Sequence, residues 1–389
     1  MMMAMMVILW EESKSEGDGL DQLSRGQTDM ISTLTRIDNT TRSLHETFVQ
    51  FGQSSAKMDW RQREIFATIW SSSWSPQQTI QDSTEAKGQE GNLNTDDDAA
   101  YSEAVINSLF LDELRYREGA ISETYESTFQ WVFQSPSLAT DGHPRWSDFA
   151  AWLRGPDSDV YWITGKPGSG KSTLMKYITG HSMSQQLLTQ WSGVKPFVLA
   201  RFYFWNAGTP IQRTREGLLR TLLHQCLMQQ PQLIPLVCPR RWALFKVFGR
   251  KAIKAAPTWT WKELHESFSA FDLHAGEQFN LTLFIDGLDE LDGNHSDLLN
   301  FVRLFHSKPG RKICVSSRPW NIFEDAFTRK PSLRLESLTY NDIQVYTQGC
   351  LKRSPAFQEY NNALHQQSSD LVGAVVTRAQ GVFLWVFVV

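Results

Sequence analysis

Gly165-Lys166-Pro167-Gly168-Ser169-Gly170-Lys171-Ser172 carries the spacing G-x-x-x-x-G-K-[ST], and its reading decides the fold. The run Val160-Tyr161-Trp162-Ile163-Thr164 precedes it, and Thr173-Leu174-Met175-Lys176-Tyr177-Ile178 follows. A strand, a glycine-rich turn and a helix start therefore succeed one another. Gly165, Gly168 and Gly170 can take backbone angles that strain a residue with a side chain. The loop N–H groups, with Lys166, Pro167, Ser169 and Thr173 in the same stretch, can then converge on phosphate oxygens at the positive end of the next helix. Lys171 is expected to reach the β/γ-phosphates, and the Ser172 hydroxyl to ligate Mg²⁺. The stretch reads as a site for a nucleoside triphosphate, ATP or GTP.

Downstream, Phe279-Asn280-Leu281-Thr282-Leu283-Phe284-Ile285-Asp286 is an apolar run ending in an acid. That pattern fits a central parallel strand buried on both faces. Asp286 would lie at the ligand edge of an open α/β sheet and hold Mg²⁺ through water beside Ser172. Asp289 or Glu290 would orient or deprotonate the attacking water. Three acids so close together repel one another without a cation. A third strand, Lys312 to Ser317, leads to Arg318, which can reach a γ-phosphate or pair with a neighbouring carboxylate.

A chain of 389 residues suggests two or three domains, and a net charge of −4 argues against a generally basic nucleic-acid binder. Cys226, Cys238, Cys314 and Cys350 have no metal-ligand spacing and read as free thiols of an intracellular, cytoplasmic protein. Met1 to Trp10 is too short for a membrane span and lacks a signal peptide's basic flank. No membrane partner is expected. Val382 to Val389 is apolar without a cap, and reads as a chain cut inside a helix.

In order, the expected parts are a helical N-terminal region (1–70), a disordered linker (71–100), a helical segment (101–155), the P-loop nucleotide domain (156–330) and a helical lid (331–389). Leu23, Met30, Leu34, Ile37, Leu44 and Phe48 follow a heptad, with Gln27 and Thr41 filling its spacing. They would serve a helical partner or oligomerisation module, or else an amphipathic helix packing within the chain. Ser, Gln, Gly, Asn and Asp dominate 71–100, including Asp96, Asp97 and Asp98. Tyr101 to Phe133 is expected to be helical, with Val105, Leu109, Leu114, Ile121, Tyr125, Phe129 and Val132 on one face. Phe149 to Leu153 is a short helix. Trp131 and Trp152 lie near a nucleotide base or in the core, the core being favoured.

Phe197 to Phe204 is a further strand, and Gly217 to Leu223 a buried helix. The basic interval Arg240 to Lys254 holds Trp242, Phe245 and Phe248. A nucleic-acid patch is one reading, and a solvated helix face with an apolar underside is the less costly one. Leu333 to Leu335 makes a short strand. Thr339 with Asp342 forms a capping box opening the helix Tyr340 to Leu351, and further helices run from Phe357 to Gln366 and from Asp370 to the end.

Six motifs in order carry a resemblance: Tyr161 to Thr173, Phe202-Tyr203-Phe204-Trp205-Asn206-Ala207-Gly208, Gly217-Leu218-Leu219-Arg220, Phe284 to Glu290, Ser316-Ser317-Arg318-Pro319 and Leu338 to Ile343. Thr128-Phe129-Gln130-Trp131-Val132-Phe133 supplies the preceding segment. With these, Tyr101 to Val389 resembles the NACHT class of STAND nucleotide-binding proteins, of the fungal NOD-like receptor type, also described as a nephrocystin-like N-terminal P-loop domain. The resemblance implies an α/β P-loop NTPase fold with a mostly parallel sheet and a helical lid. It implies ATP or GTP with Mg²⁺, a closed ADP state and nucleotide-dependent homo-oligomers. Gly287 stands where fast ATPases often place a catalytic Glu beside the Mg²⁺-binding Asp, so slow hydrolysis is expected. A P-loop small-molecule kinase and a nucleotide-binding scaffold without hydrolysis are the competing readings.

Overall fold

Four runs holding β-branched or aromatic residues and a short fifth pair side by side as one parallel sheet: β1 (Val160–Thr164), β2 (Phe197–Tyr203), β3 (Asn280–Asp286), β4 (Arg311–Ser317) and β5 (Ser332–Arg334). The computed structural model describes residues 64, 67–70, 95–125, 127–138, 142, 144–156, 159–249, 256–353 and 365–388. The strand order is β2-β3-β4-β1-β5, and every pairing is parallel. β1, β3 and β4 are buried at every residue, as expected of strands covered on both faces. β4 lies between the strands that end at the glycine loop and at Asp286. Three strand ends therefore open on one edge of the sheet.

The chain divides into two compact units. In the first, Met1–Gly88 with Ala243–Thr260, Ile69 and Ala243 are buried together with Trp70 packed on them. The second, Gln89–Trp242 with Trp261–Val389, holds the sheet. The heptad stretch 23–48 lies outside the described residues, as do 71–94 and 354–364. No helix among the described residues is long and apolar enough to cross a membrane.

The helices of the second unit follow from caps and apolar faces. α1 (Thr95–Leu109) begins inside the stretch read as a linker. The single helical stretch expected over Tyr101 to Phe133 is broken. α1 ends at Leu109, α2 runs Asp112–Ala120, and Phe129 takes a left-handed φ of 63° before a short 3₁₀ turn, Gln130–Phe133. α3 (Phe149–Arg154) is capped by Asp148, whose carboxylate accepts from the Ala151 N–H at 2.7 Å.

α4 (Lys171–Gly180) and α5 (Ser182–Ser192) share a core with α3 and β1, built around Phe149, Trp152, Tyr161, Leu174 and Ile178. α6 (Arg215–Gln229) packs on β2 and on α7 (Trp261–His274), and α8 (His295–His306) packs on β4. α9 (Asn321–Phe327) links β4 to β5. α10 (Tyr340–Lys352) and α11 (His365–Ala379) pair around Ile343, Val372 and Val376. The helix expected from Asp370 onward stops where Gln380 and Gly381 take φ values of 48° and 79°, and a separate α12 (Phe383–Val388) follows.

Trp152 is core. Its backbone oxygen accepts from the fully buried Lys312 Nζ at 2.7 Å, and that ammonium sits 5.1 Å and 5.0 Å from the Trp152 and Trp191 ring centres. Arg241 departs from both readings of the basic interval. It is buried, and its Nε and Nη2 donate to the Glu263 carboxylate at 2.7 Å and 2.8 Å.

The expected capping box is also replaced. Thr339 Oγ1 donates to the Gly381 carbonyl at 3.2 Å, and Asp342 accepts from the Phe129 N–H at 3.3 Å and from Trp131 Nε1 at 2.7 Å. Both side chains are spent on tertiary partners, and Thr339 makes no cap bond to its own helix.

Candidate nucleotide-binding site

Between β1 and α4 the loop turns through Gly168 and Gly170, whose φ values of 72° and 98° are left-handed. Gly165 serves differently from the expectation. It needs no positive φ, but a Cβ there would lie 2.8 Å from both Ser169 Oγ and Glu336 Oε2. The same Glu336 oxygen accepts from the Lys166 N–H at 3.2 Å, tying the loop's start to the chain after β5. Lys171 Nζ donates to the Gly165 and Lys166 carbonyls at 2.7 Å and 3.0 Å, folding its charge over the loop. Burial lowers the Lys171 pKa, while Asp289 and Asp286 pull it back up.

Pro167, Gly168, Gly170, Lys171, Ser172 and Thr173 line a cleft of about 710 Å³, together with Asp286, Asp289, Glu290 and Arg318. Gly165, Lys166 and Ser169 shape the loop without lining the cleft. Asp286 is buried at the end of β3. Ser316 donates to its Oδ1, while its Oδ2 has no hydrogen-bond partner. Burial raises the Asp286 pKa, and the Ser172 and Ser316 hydroxyls, Arg117 and Lys171 oppose that rise. An unpartnered buried carboxylate oxygen beside a serine hydroxyl is a donor set that suits a hard cation. Mg²⁺ commonly takes one or two carboxylates and fills its remaining positions with water and phosphate. Among the described residues no cluster of three or more acids, histidines or cysteines offers a complete protein cage.

Asp289 and Glu290 sit on a 3₁₀ turn, Leu288–Glu290, entered through a left-handed Gly287. The Gly287 N–H donates to Ser316 Oγ at 2.9 Å, which fixes this turn to the end of β4. Asp289 uses both oxygens on one residue. Oδ1 accepts from the Arg318 N–H at 2.9 Å, and Oδ2 pairs with Arg318 Nε at 3.0 Å. Of the two readings of Arg318, the structure shows the pairing with a neighbouring carboxylate, on a residue that also lines the cleft. Glu290 Oε2 accepts from the Asn206 N–H at 2.7 Å. Burial raises the Glu290 pKa, the Asn206 bond lowers it, and Asp286 and Asp289 raise it further.

The chain is similar to known proteins over part of its length. Residues 127–318 match the family model described as Nephrocystin 3, N-terminal. The vegetative incompatibility protein HET-E-1 of Podospora anserina is 27% identical over 248 residues, covering 62% of this chain and 17% of that protein. The chain is NACHT-like and HET-E-like. It spans about a sixth of the length of the curated relative it matches.

In this NACHT-like chain, several cleft residues were not foreseen from the sequence. Arg117 comes from α2 and Ser316 from β4. Phe129 and Phe383 contribute rings 5.7 Å apart, and Tyr346 lies 6.2 Å from Phe383. Trp131 stands edge-on to Trp146 at 5.4 Å, as the core reading expected. α12 reaches the loop directly, because the Leu384 N–H donates to the Gly168 carbonyl at 3.1 Å. No local signal announced these partners, which are held by contacts between distant parts of the chain.

Gly381 positions α12. At its φ of 79° a Cβ would fall 2.1 Å from the Glu336 carbonyl oxygen, which is main chain and cannot rotate away. Gly381→Ala is expected to cost about 2 kcal/mol and to loosen α12 from the loop. Thermal melts and hydrogen exchange at the Leu384 amide would measure it. Wild-type exchange would show that α12 is held without Gly381.

Proposed function

We propose that the chain binds a nucleoside triphosphate, ATP in the first instance, with Mg²⁺, and hydrolyses it slowly as the switch of a NOD-like receptor inside the cell. The observation that carries this reading is the cleft where the glycine loop and Lys171 face Asp286, with its unpaired oxygen, and Glu290. Loop N–H groups at the start of α4 would take the phosphates, and Lys171 would exchange its two loop carbonyls for phosphate oxygens. Ser172 and Asp286 would hold Mg²⁺, which when bound neutralises phosphate charge. Phe129, Tyr346 and Phe383 offer aromatic faces to a base. Nucleotide-dependent self-association is part of the proposal, since α12 covers the loop and can respond to what occupies it.

Glu290 is the better general base of the two acids. Asp289 is committed to Arg318, whereas Glu290 holds a backbone N–H on one oxygen and has a raised pKa. Glu290→Gln is expected to slow single-turnover phosphate release by about a hundredfold while Mg²⁺-ATP affinity changes less than about threefold. In the wild type the rate should fall as pH drops through the raised Glu290 pKa, because the protonated acid cannot accept a proton. Wild-type turnover in the variant would remove Glu290 from the chemistry. Absence of phosphate release from the wild type over hours would favour a binding-only scaffold.

A further inference from the structure

Among the described residues three cations line the cleft, and two are already accounted for. Lys171 is bonded to loop carbonyls and Arg318 is paired with Asp289. The third, Arg117, stands in the last turn of α2, ahead of the nucleotide loop in sequence. No carboxylate forms an ion pair with it among the described residues. Its Nη2 reaches Ser172 Oγ at 3.5 Å, the outer limit of a hydrogen bond, and its Nε is buried without a partner.

An arginine so placed needs an explanation, because burying an unpaired guanidinium N–H is costly. Three features hold it there. Its guanidinium carbon lies 5.3 Å from the centre of the Trp205 ring, which also stacks with Tyr116 at 5.9 Å. Its charge acts on Asp286 and Glu290, lowering the pKa of each. α2 itself is anchored, with the Glu113 carbonyl accepting from Gln212 Nε2 at 2.7 Å and Glu118 paired with Arg201 at 2.6 Å. The arginine is therefore delivered from a fixed helix.

We propose that Arg117 is a phosphate-reading residue supplied in cis, binding the terminal phosphoryl group of a triphosphate and so setting the preference for triphosphate over diphosphate. This rests on the nucleoside-triphosphate reading of the cleft. The unpaired Nε and the weakly held Nη2 form a fork that matches two oxygens of a phosphoryl group. A phosphoryl group satisfies that fork and matches its charge, and Ser172 beside it puts the group on the side of the loop where the proposed Mg²⁺ would lie. A diphosphate lacks the group that the fork would hold. Arg318 approaches from the end of β4, so the two arginines reach the cleft from different elements.

A purely structural Arg117 would support Trp205 and affect all nucleotides alike, so the test is a ratio. Affinities of the full chain for Mg²⁺-ATPγS and for ADP would be measured by calorimetry in the wild type, Arg117→Ala and Arg117→Lys, with thermal melts alongside. Arg117→Ala is expected to weaken ATPγS about tenfold or more and ADP less than about threefold. Arg117→Lys, which keeps the charge and the aromatic contact but lacks the fork, should lie between, and it serves if the alanine variant fails to fold. Equal losses for both nucleotides, or none, would overturn the assignment of Arg117 alone. A wild-type chain that bound neither nucleotide would overturn the cleft reading together with it.

Discussion

Lys171→Ala is expected to weaken Mg²⁺-ATP binding by about a hundredfold or more. Lys171 donates to two of the loop's own carbonyls and feels the charges of Asp289 and Asp286, and in the proposed reading it shares phosphate charge with Mg²⁺. In that reading its removal leaves Asp286, Asp289 and Glu290 facing the triphosphate without a compensating charge. Folding should be little affected. The Lys166 carbonyl belongs to an exposed residue, where water can replace the bond at small net cost, while the Gly165 carbonyl, on a buried residue, carries the larger part of the loss. Calorimetric titration with Mg²⁺-ATP, with a thermal melt of the same sample, separates the effects. Unchanged affinity would place the phosphate site elsewhere, and a collapsed melt would make Lys171 structural.

Arg311→Ala should have the largest effect on stability, about 3–5 kcal/mol. Arg311 is 2% exposed at the start of β4. Its Nε pairs with Asp272 Oδ1 at 2.6 Å, and its Nη2 donates to the Asp272 and Ala275 carbonyls, the latter at 2.9 Å. Nη1 reaches the Pro309 carbonyl at 3.2 Å. One guanidinium thus satisfies carbonyls at the C-terminal end of α7, where helices leave such groups unpaired. Truncation strands them and leaves the buried Asp272 with Lys308 alone, a residue 45% exposed on its side chain. A melting temperature lower by about 10 °C is expected. Adding Asp272→Asn to the variant should recover part of the loss, because the amide carries no charge needing compensation. A shift of a degree or less would show that the network contributes little net stability.

The two residues occupy different ends of the architecture. Arg311 fixes the beginning of β4 to α7, and at the other end of the strand Ser316, with Arg318 just beyond it, lines the cleft. Stability at one end of the strand therefore supports geometry at the other. Substitutions around Asp272 should be judged on cleft geometry as well as on melting temperature.

Much of the cleft was legible because its residues are constrained locally. The glycine loop advertises its shape through Gly168 and Gly170, whose left-handed angles few other residues accept. The strands advertise themselves through apolar runs that only a two-sided burial tolerates, and Asp286 stands at the end of one such run. From these the sequence by itself determined the α/β class, the parallel sheet and the edge of the sheet where the cleft opens.

The tertiary structure decided what distant partners do. Thr339 and Asp342 have the spacing of a helix cap, yet Asp342 bonds Phe129 from 213 residues away and Thr339 bonds Gly381. Asp289 was one of two interchangeable acids until its pairing with Arg318 set it apart from Glu290. Arg117 looked like any charged residue of an amphipathic helix until α2 was placed beside Ser172. Local pattern fixes backbone angles and burial because those depend on neighbouring residues. Which polar group meets which depends on how whole elements pack, and that is settled only when the chain closes on itself.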